Sequence, residues 1–197
     1  VPTLLSGILP PALSAIRGQH PDLRIRVSSG LSADLVGRVH NGELDGAVVS
    51  EPARLQTGLS WHPYAEEPLM VIAPKGTPGK TDRELLLAGP FIRFQRFAWA
   101  GRLIDTHLKD RGIRVSTGME IDSLEAIAQM VAHGLGVSVV PDRAGSALPE
   151  NIERVAFGDP PLGRVVGVVE RRDNPKAHLI RAFVAILADL ASEPRRR

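Results

Sequence analysis

The residues from Met119 to Asp142, MEIDSLEAIAQMVAHGLGVSVVPD, restrict what the chain can fold into more than any other stretch. Leu124, Ile127, Met130 and Val131 recur at helical spacing and give a helix one apolar face. Just ahead of them, Asp122 and Glu125 form an acidic variant of the capping box that marks a helix start. Gly134 and Gly136 end the helix, because glycine readily takes the backbone angles of a helix terminus. Val137, Val139 and Val140 are a β-branched run suited to a buried strand, and Pro141 stops it. A helix running into a buried strand is half of an α/β layer pair. The flanking loops then become candidate ligand-binding edges.

The same alternation runs through the rest of the chain. Leu9, Leu13 and Ile16 predict a helix from about Pro10, ended at His20-Pro21. Leu23, Ile25 and Val27 alternate with Arg24 and Arg26 and predict a half-exposed strand. Ser32 is expected to cap a helix carrying Leu35, Val36 and Val39, with Asn41-Gly42 closing it. Leu44 to Val49 is expected as a buried strand, and helix–strand repetition with short loops points to a parallel sheet. Trp61 to Tyr64 and Leu69 to Ala73 are expected as two further strands. The proline- and glycine-rich run from Pro74 to Gly79 suggests a lobe boundary.

Beyond it, Thr81 and Glu84 make a capping box for a short helix. Phe91 to Phe94 reads as a strand, followed by a helix with Leu103, Ile104 and Leu108 on one face. Arg154 to Phe157 and Arg164 to Val169 are later strands, and Leu179, Phe183, Ile186, Leu187 and Leu190 line a closing amphipathic helix.

Composition excludes several classes. The 197 residues are 43% hydrophobic, enough for a core, yet no apolar run approaches the length of a membrane span. Cysteine is absent, so disulfides and thiolate metal sites are excluded. The six histidines are scattered without metal-ligand spacing, and no Gly-x-Ser-x-Gly elbow occurs. Gly134-Leu135-Gly136 precedes a strand and does not open a helix, the wrong context for a dinucleotide fingerprint. The expectation is therefore no catalytic residue, no metal and no cofactor. Net charge is +2, and Arg195, Arg196 and Arg197 form a basic tail read as a solvated end. The start, Val1-Pro2-Thr3, lacks the form of a signal peptide.

Several short motifs, in order, resemble one known family. They are Pro2-Thr3 before Leu9-Pro10, His20-Pro21-Asp22-Leu23, Gly42-Glu43-Leu44-Asp45, Glu67-Pro68-Leu69, Pro90-Phe91-Ile92, and Val131 to Val137 ending at Pro141. Together they resemble the effector-binding domain of LysR-type transcriptional regulators. The resemblance implies an α/β fold of two Rossmann-like lobes joined by two crossover strands, like type-II periplasmic binding proteins. Lobe I would take residues 1–70 plus 170–197, and lobe II residues 73–166. The family's winged helix-turn-helix is absent from these residues, so DNA would be reached only through that further domain. The chain also resembles the family from just after, or at the end of, its first strand.

The resemblance also implies a small-molecule effector in an interlobe cleft, homodimers (tetramers at full length) and a cytoplasmic location. The dimer would pair the helix from about Pro10 with the one from about Gly101. Helix N-termini that face such a cleft offer free N–H groups and a positive dipole end, which favours an anionic effector. The candidate contacts are Thr3 and Ser6; Ser29, Gly30 and Ser32; Gln95, Arg96, Phe97 and Trp99; and Ile121 and Asp122. Thr3 matches the family's effector-contacting hydroxyl, or else caps its helix. Ser29 and Ser32 read equally as turn and cap residues, and Asp122 as a helix cap. Arg96 could clamp a carboxylate through its guanidinium fork, or be a solvated arginine. Phe97 and Trp99 could wall a pocket or pack in the core. The alternative from another class is a periplasmic solute-binding protein of a transporter, which uses the same cleft physics.

Overall fold

The computed structural model describes residues 7–143 and 148–192. In chain order its elements are α1 (Leu9–Gln19), α2 (Ser32–His40), β1 (Gly46–Ser50), β2 (Leu59–Pro74), α3 (Asp82–Leu87) and β3 (Phe91–Phe94). There follow α4 (Trp99–Asp110), β4 (Thr117–Ile121), α5 (Leu124–Ala132), β5 (Ser138–Pro141), β6 (Ile152–Ala156), β7 (Gly163–Arg171) and α6 (Ala177–Ser192). The basic tail from Arg195 to Arg197 lies outside the described residues. The chain forms two compact units. Unit 1 takes the chain up to Glu66 and again from Val165, and unit 2 takes Glu67 to Arg143 and the stretch ending at Arg164. Two strands are shared: β2 changes unit after Glu66, and β7 changes unit after Arg164.

In unit 1, β1 pairs antiparallel with β7, with Val48 opposite Val168. Ile8, Ala12 and Ile16 from the start of the chain pack with Val168 and with Ile186 and Leu187 of α6. Pro10 and Pro11 fall in the first turn of α1, where a missing N–H removes no helical bond.

In unit 2, β2 pairs antiparallel with both β5 and β6, while β3 and β4 are parallel. Leu69, Val71, Leu85, Phe91, Ile104 and Phe157 share its core. The α3 helix carries the expected capping box: Thr81 Oγ1 accepts from the Glu84 N–H at 3.2 Å, and Glu84 Oε2 accepts from the Thr81 N–H at 3.1 Å. Gly136 has φ of +155°, and a Cβ there would lie 2.2 Å from the Pro90 carbonyl oxygen. The glycine turn therefore lets β5 approach β3, where the Val137 N–H donates to Pro90 O at 2.9 Å. The turn is structural.

Four expectations need correction. Leu23 to Val27 is not a strand: alternation alone does not make one, because a ladder needs a neighbour, and no described strand pairs with it. Ile25 and Val27 remain 37% and 48% exposed. The segment instead borders a groove of about 340 Å³, with Leu9, Leu13 and Ile16 of α1 and residues 43–48 on its other sides. Second, the parallel sheet expected from the first helix–strand repeats is not formed: β1 pairs antiparallel with β7, and among the ladders just described only that of the separate β3–β4 sheet is parallel. Third, the two strands expected at Trp61 and Leu69 are one 16-residue strand, β2. Pro63 and Pro68 do not break it, because proline's fixed φ suits an extended chain and forfeits only a donor. Fourth, Pro74 to Gly79 is the turn leaving β2 within unit 2, and the change of unit falls inside β2 itself.

Candidate functional site

In unit 2 the parallel pairing of β3 and β4 sets Phe94 opposite Ile121, so both strands end together. Carboxyl ends of parallel strands are where α/β sheets gather ligand-binding loops. The loop from Gln95 to Ala98 leaves β3 here and enters α4, and the residues after Ile121 enter α5. Gln95 N–H donates to Ile121 O at 3.0 Å, which ties the two loops. The Ala98 N–H donates to Gln95 O at 3.0 Å and makes the first loop a tight turn. Gly101, in the first turn of α4, is needed for this approach: a Cβ there would lie 2.4 Å from Gln95 O. The structure thus brings Gln95, Arg96, Phe97 and Asp122 into one pair of loops, with Trp99 at the start of α4 and Ile121 at the end of β4 bordering them. Phe97 is 67% exposed, so it is not core packing, while Trp99 is half-buried as the first residue of α4.

The α4 N-terminus has no side-chain cap. A helix start without one leaves backbone donors for water or a ligand. Arg96 stands beside it with its side chain 59% exposed, but its fork is engaged. Its Nε and Nη2 donate to Glu120 Oε2 at 2.8 and 2.6 Å, and its backbone N–H donates to Glu120 Oε1 at 3.1 Å. These bonds hold the Glu120 carboxyl below the usual carboxylate range and raise Arg96 above the usual guanidinium value. Arg93, the residue opposite Glu120 in the ladder, pairs with Asp105 and donates to Thr117 Oγ1 at 3.1 Å. Two arginines and two carboxylates therefore balance. Neither the clamp nor the solvated-arginine reading anticipated Glu120.

Asp122 does not cap α5. Ser123 does, its Oγ accepting from the Ala126 N–H at 3.2 Å. The helix begins one residue later than the acidic pair implied, which leaves Asp122 exposed in the loop and Glu125 paired to Arg143 at 2.8 Å.

The remaining candidates lie in unit 1. Ser29 is exposed and Gly30 half-buried, in the segment before α2. Ser32 is the first residue of α2 and not its cap; Leu31 occupies the cap position without a side-chain bond. The Ser32 hydroxyl, on a residue only 5% exposed, instead accepts from the Ser50 N–H at 3.4 Å and ties α2 to the end of β1. Asp34 places a negative charge in the first turn of α2, so this helix end is already neutralised in part. Thr3 and Ser6 lie outside the described residues. Among the described residues no cluster of His, Cys, Asp and Glu could hold a metal ion, and no helix is long and apolar enough to cross a membrane.

Comparison with known proteins agrees with this architecture. The family model of the LysR substrate binding domain matches residues 1–192. The HTH-type transcriptional regulator CzcR of Bacillus subtilis is 31% identical over 138 residues, covering 70% of this chain and 46% of CzcR. The uncharacterized HTH-type transcriptional regulator YeiE of Escherichia coli K12 is 28% identical over 198 residues, covering 98% of this chain and 67% of YeiE. The chain thus spans between about half and two thirds of the length of these relatives. Among solved structures, the effector-binding domain of QuiR in complex with shikimate superposes with a TM-score of 0.80 at 16% identity, covering 98% of this chain and 95% of that one. At that identity the likeness shows the fold alone.

Proposed function

The chain belongs to the LysR substrate-binding domain family, and from that premise we propose that it senses a small acidic effector for a longer, cytoplasmic transcription regulator. The fold is that of LysR effector-binding domains, related to type-II periplasmic binding proteins. The observation that carries the effector chemistry is the Arg96 site. A guanidinium fork and a loop N–H converge there on one carboxylate, beside an uncapped helix start. Such an arrangement recognises an acid group by paired, charge-assisted hydrogen bonds.

In this reading the loops that follow Phe94 and Ile121 in unit 2 contribute contacts to the effector. Binding changes the population of conformations only by its differential affinity for them. DNA is contacted by a separate domain of the longer protein, and two copies pair through α1 and α4. The relatives named above are transcription regulators, which favours this reading over a transporter's solute-binding protein. A thermal-shift screen with small carboxylic acids tests the reading, because a ligand that binds only the native state raises its melting point. Stabilisation by neutral compounds alone contradicts it.

A further inference from the structure

Glu120 is bonded to Arg96 as a bound ligand would be. One of its oxygens takes both guanidinium donors and the other takes the loop N–H, so the carboxylate fills the fork and the loop amide at once. Two other arginine pairs of unit 2 differ from this one. Arg164 is 3% exposed against Glu67, and Arg93 is 20% exposed and shared between Asp105 and Thr117, whereas Arg96 is 59% exposed and gives both Nε and Nη2 to Glu120. An exposed pair of this kind is held weakly, because water screens it and two side chains must be ordered to make it. It is therefore open to exchange.

We infer that Glu120 is a built-in competitor for the anion site: it occupies Arg96, and an incoming acid group must displace it. The inference rests on the proposed role of the Gln95 to Ala98 loop in effector binding. A tethered carboxylate acts as a ligand at an effective concentration in the millimolar range or above. A weakly bound monocarboxylate consequently loses to Glu120. An effector with a doubly charged group, or with further contacts in the loops, wins. Glu120 thus sets a threshold for the strength and charge of the ligand. Displacement also releases β4 at the residue just before Ile121, three positions ahead of the Ser123 cap of α5.

The test is calorimetric titration of inorganic phosphate into the 197-residue chain at pH 7 and low salt. Glu120→Gln is expected to bind phosphate about two- to sixfold more tightly than the wild type, the range that competition by an exposed ion pair allows. Arg96→Gln added to Glu120→Gln is expected to abolish that gain. Glu120→Ala, which removes any residual bond to Arg96, is expected to reproduce the gain. Glu43→Gln changes net charge equally by removing the exposed partner of Arg38, and is expected to leave phosphate binding unchanged. The inference is overturned if neither Glu120 variant gains affinity, if the gain survives loss of Arg96, or if Glu43→Gln matches it. Should the Glu120 gain appear while no carboxylic acid binds the wild type at any concentration, competition stands and the effector reading fails.

Discussion

Arg164 and Glu67 form a buried ion pair in unit 2, with Nε and Nη2 of the arginine donating to the same carboxylate oxygen at 2.7 and 2.6 Å. Their side chains are 3% and 7% exposed. Each is the residue of unit 2 at which a crossover strand changes unit. Removing one partner of a buried ion pair typically costs about 3–5 kcal/mol. Glu67→Ala should lower stability by that order in chemical denaturation. Replacing both residues with apolar ones should recover most of it. An unchanged midpoint for Glu67→Ala contradicts a structural role for the pair.

Asp82 supplies a pH dependence. Arg111 donates to both of its oxygens, the Gly158 N–H donates at 2.8 Å and the Arg83 N–H at 2.7 Å. The bond from Arg111, against the opposing cost of burial, holds the carboxyl below the usual range. A depressed folded pKa contributes stability above the unfolded value, near 4 for aspartate, and loses it as pH falls through the folded value. Melting temperature should therefore drop on acidification below about pH 4. Asp82→Asn should be less stable at pH 7 and should flatten that part of the profile. Parallel profiles for variant and wild type would show that Asp82 does not contribute.

The start of α5 separates two adjacent residues. Ser123→Ala removes the bond to the Ala126 N–H and should cost about 1 kcal/mol, which is roughly 2–4 °C in a chain of this size. Asp122→Ala should change the melting temperature by much less. The reverse order would return the cap to Asp122.

Gly136→Ala should be severe. The new Cβ would meet the Pro90 carbonyl at 2.2 Å, with φ at +155°, and backbone strain of this kind costs about 1–3 kcal/mol before any clash is counted. Gly134→Ala, whose Cβ would meet nothing within 4 Å, should cost less although its φ is +78°. Equal losses would indicate that only the backbone angle matters, and not the approach of β5 to Pro90.

These residues also show which features the sequence can disclose. Thr81 and Glu84 complete a capping box within four residues, so local pattern alone found it. The α5 start was displaced by one residue because Asp122 and Ser123 are both good caps, and only the phase of the helix chooses between them. β2 reads as two strands because Glu66, Glu67 and Pro68 look like a solvated turn, although proline is compatible with extended backbone. The Leu23 to Val27 alternation was real, but strand formation depends on a neighbour that pattern does not supply. Arg96 was legible from its place after a strand. Glu120 was not, because its contact with Arg96 spans 24 residues and follows from the β3–β4 register. Pairing across a sheet is set by tertiary packing, which a single local window does not contain.

We propose that an acid group binds at Arg96, and calorimetric titration of the best carboxylate from a thermal-shift screen, into the wild type and into Arg96→Gln, decides it. The wild type should be stabilised by about 2.7 kcal/mol when the ligand is at a hundred times its Kd. Arg96→Gln, folded by its own melting curve, should bind the same acid at least tenfold more weakly. Equal affinity in the two proteins would contradict the claim.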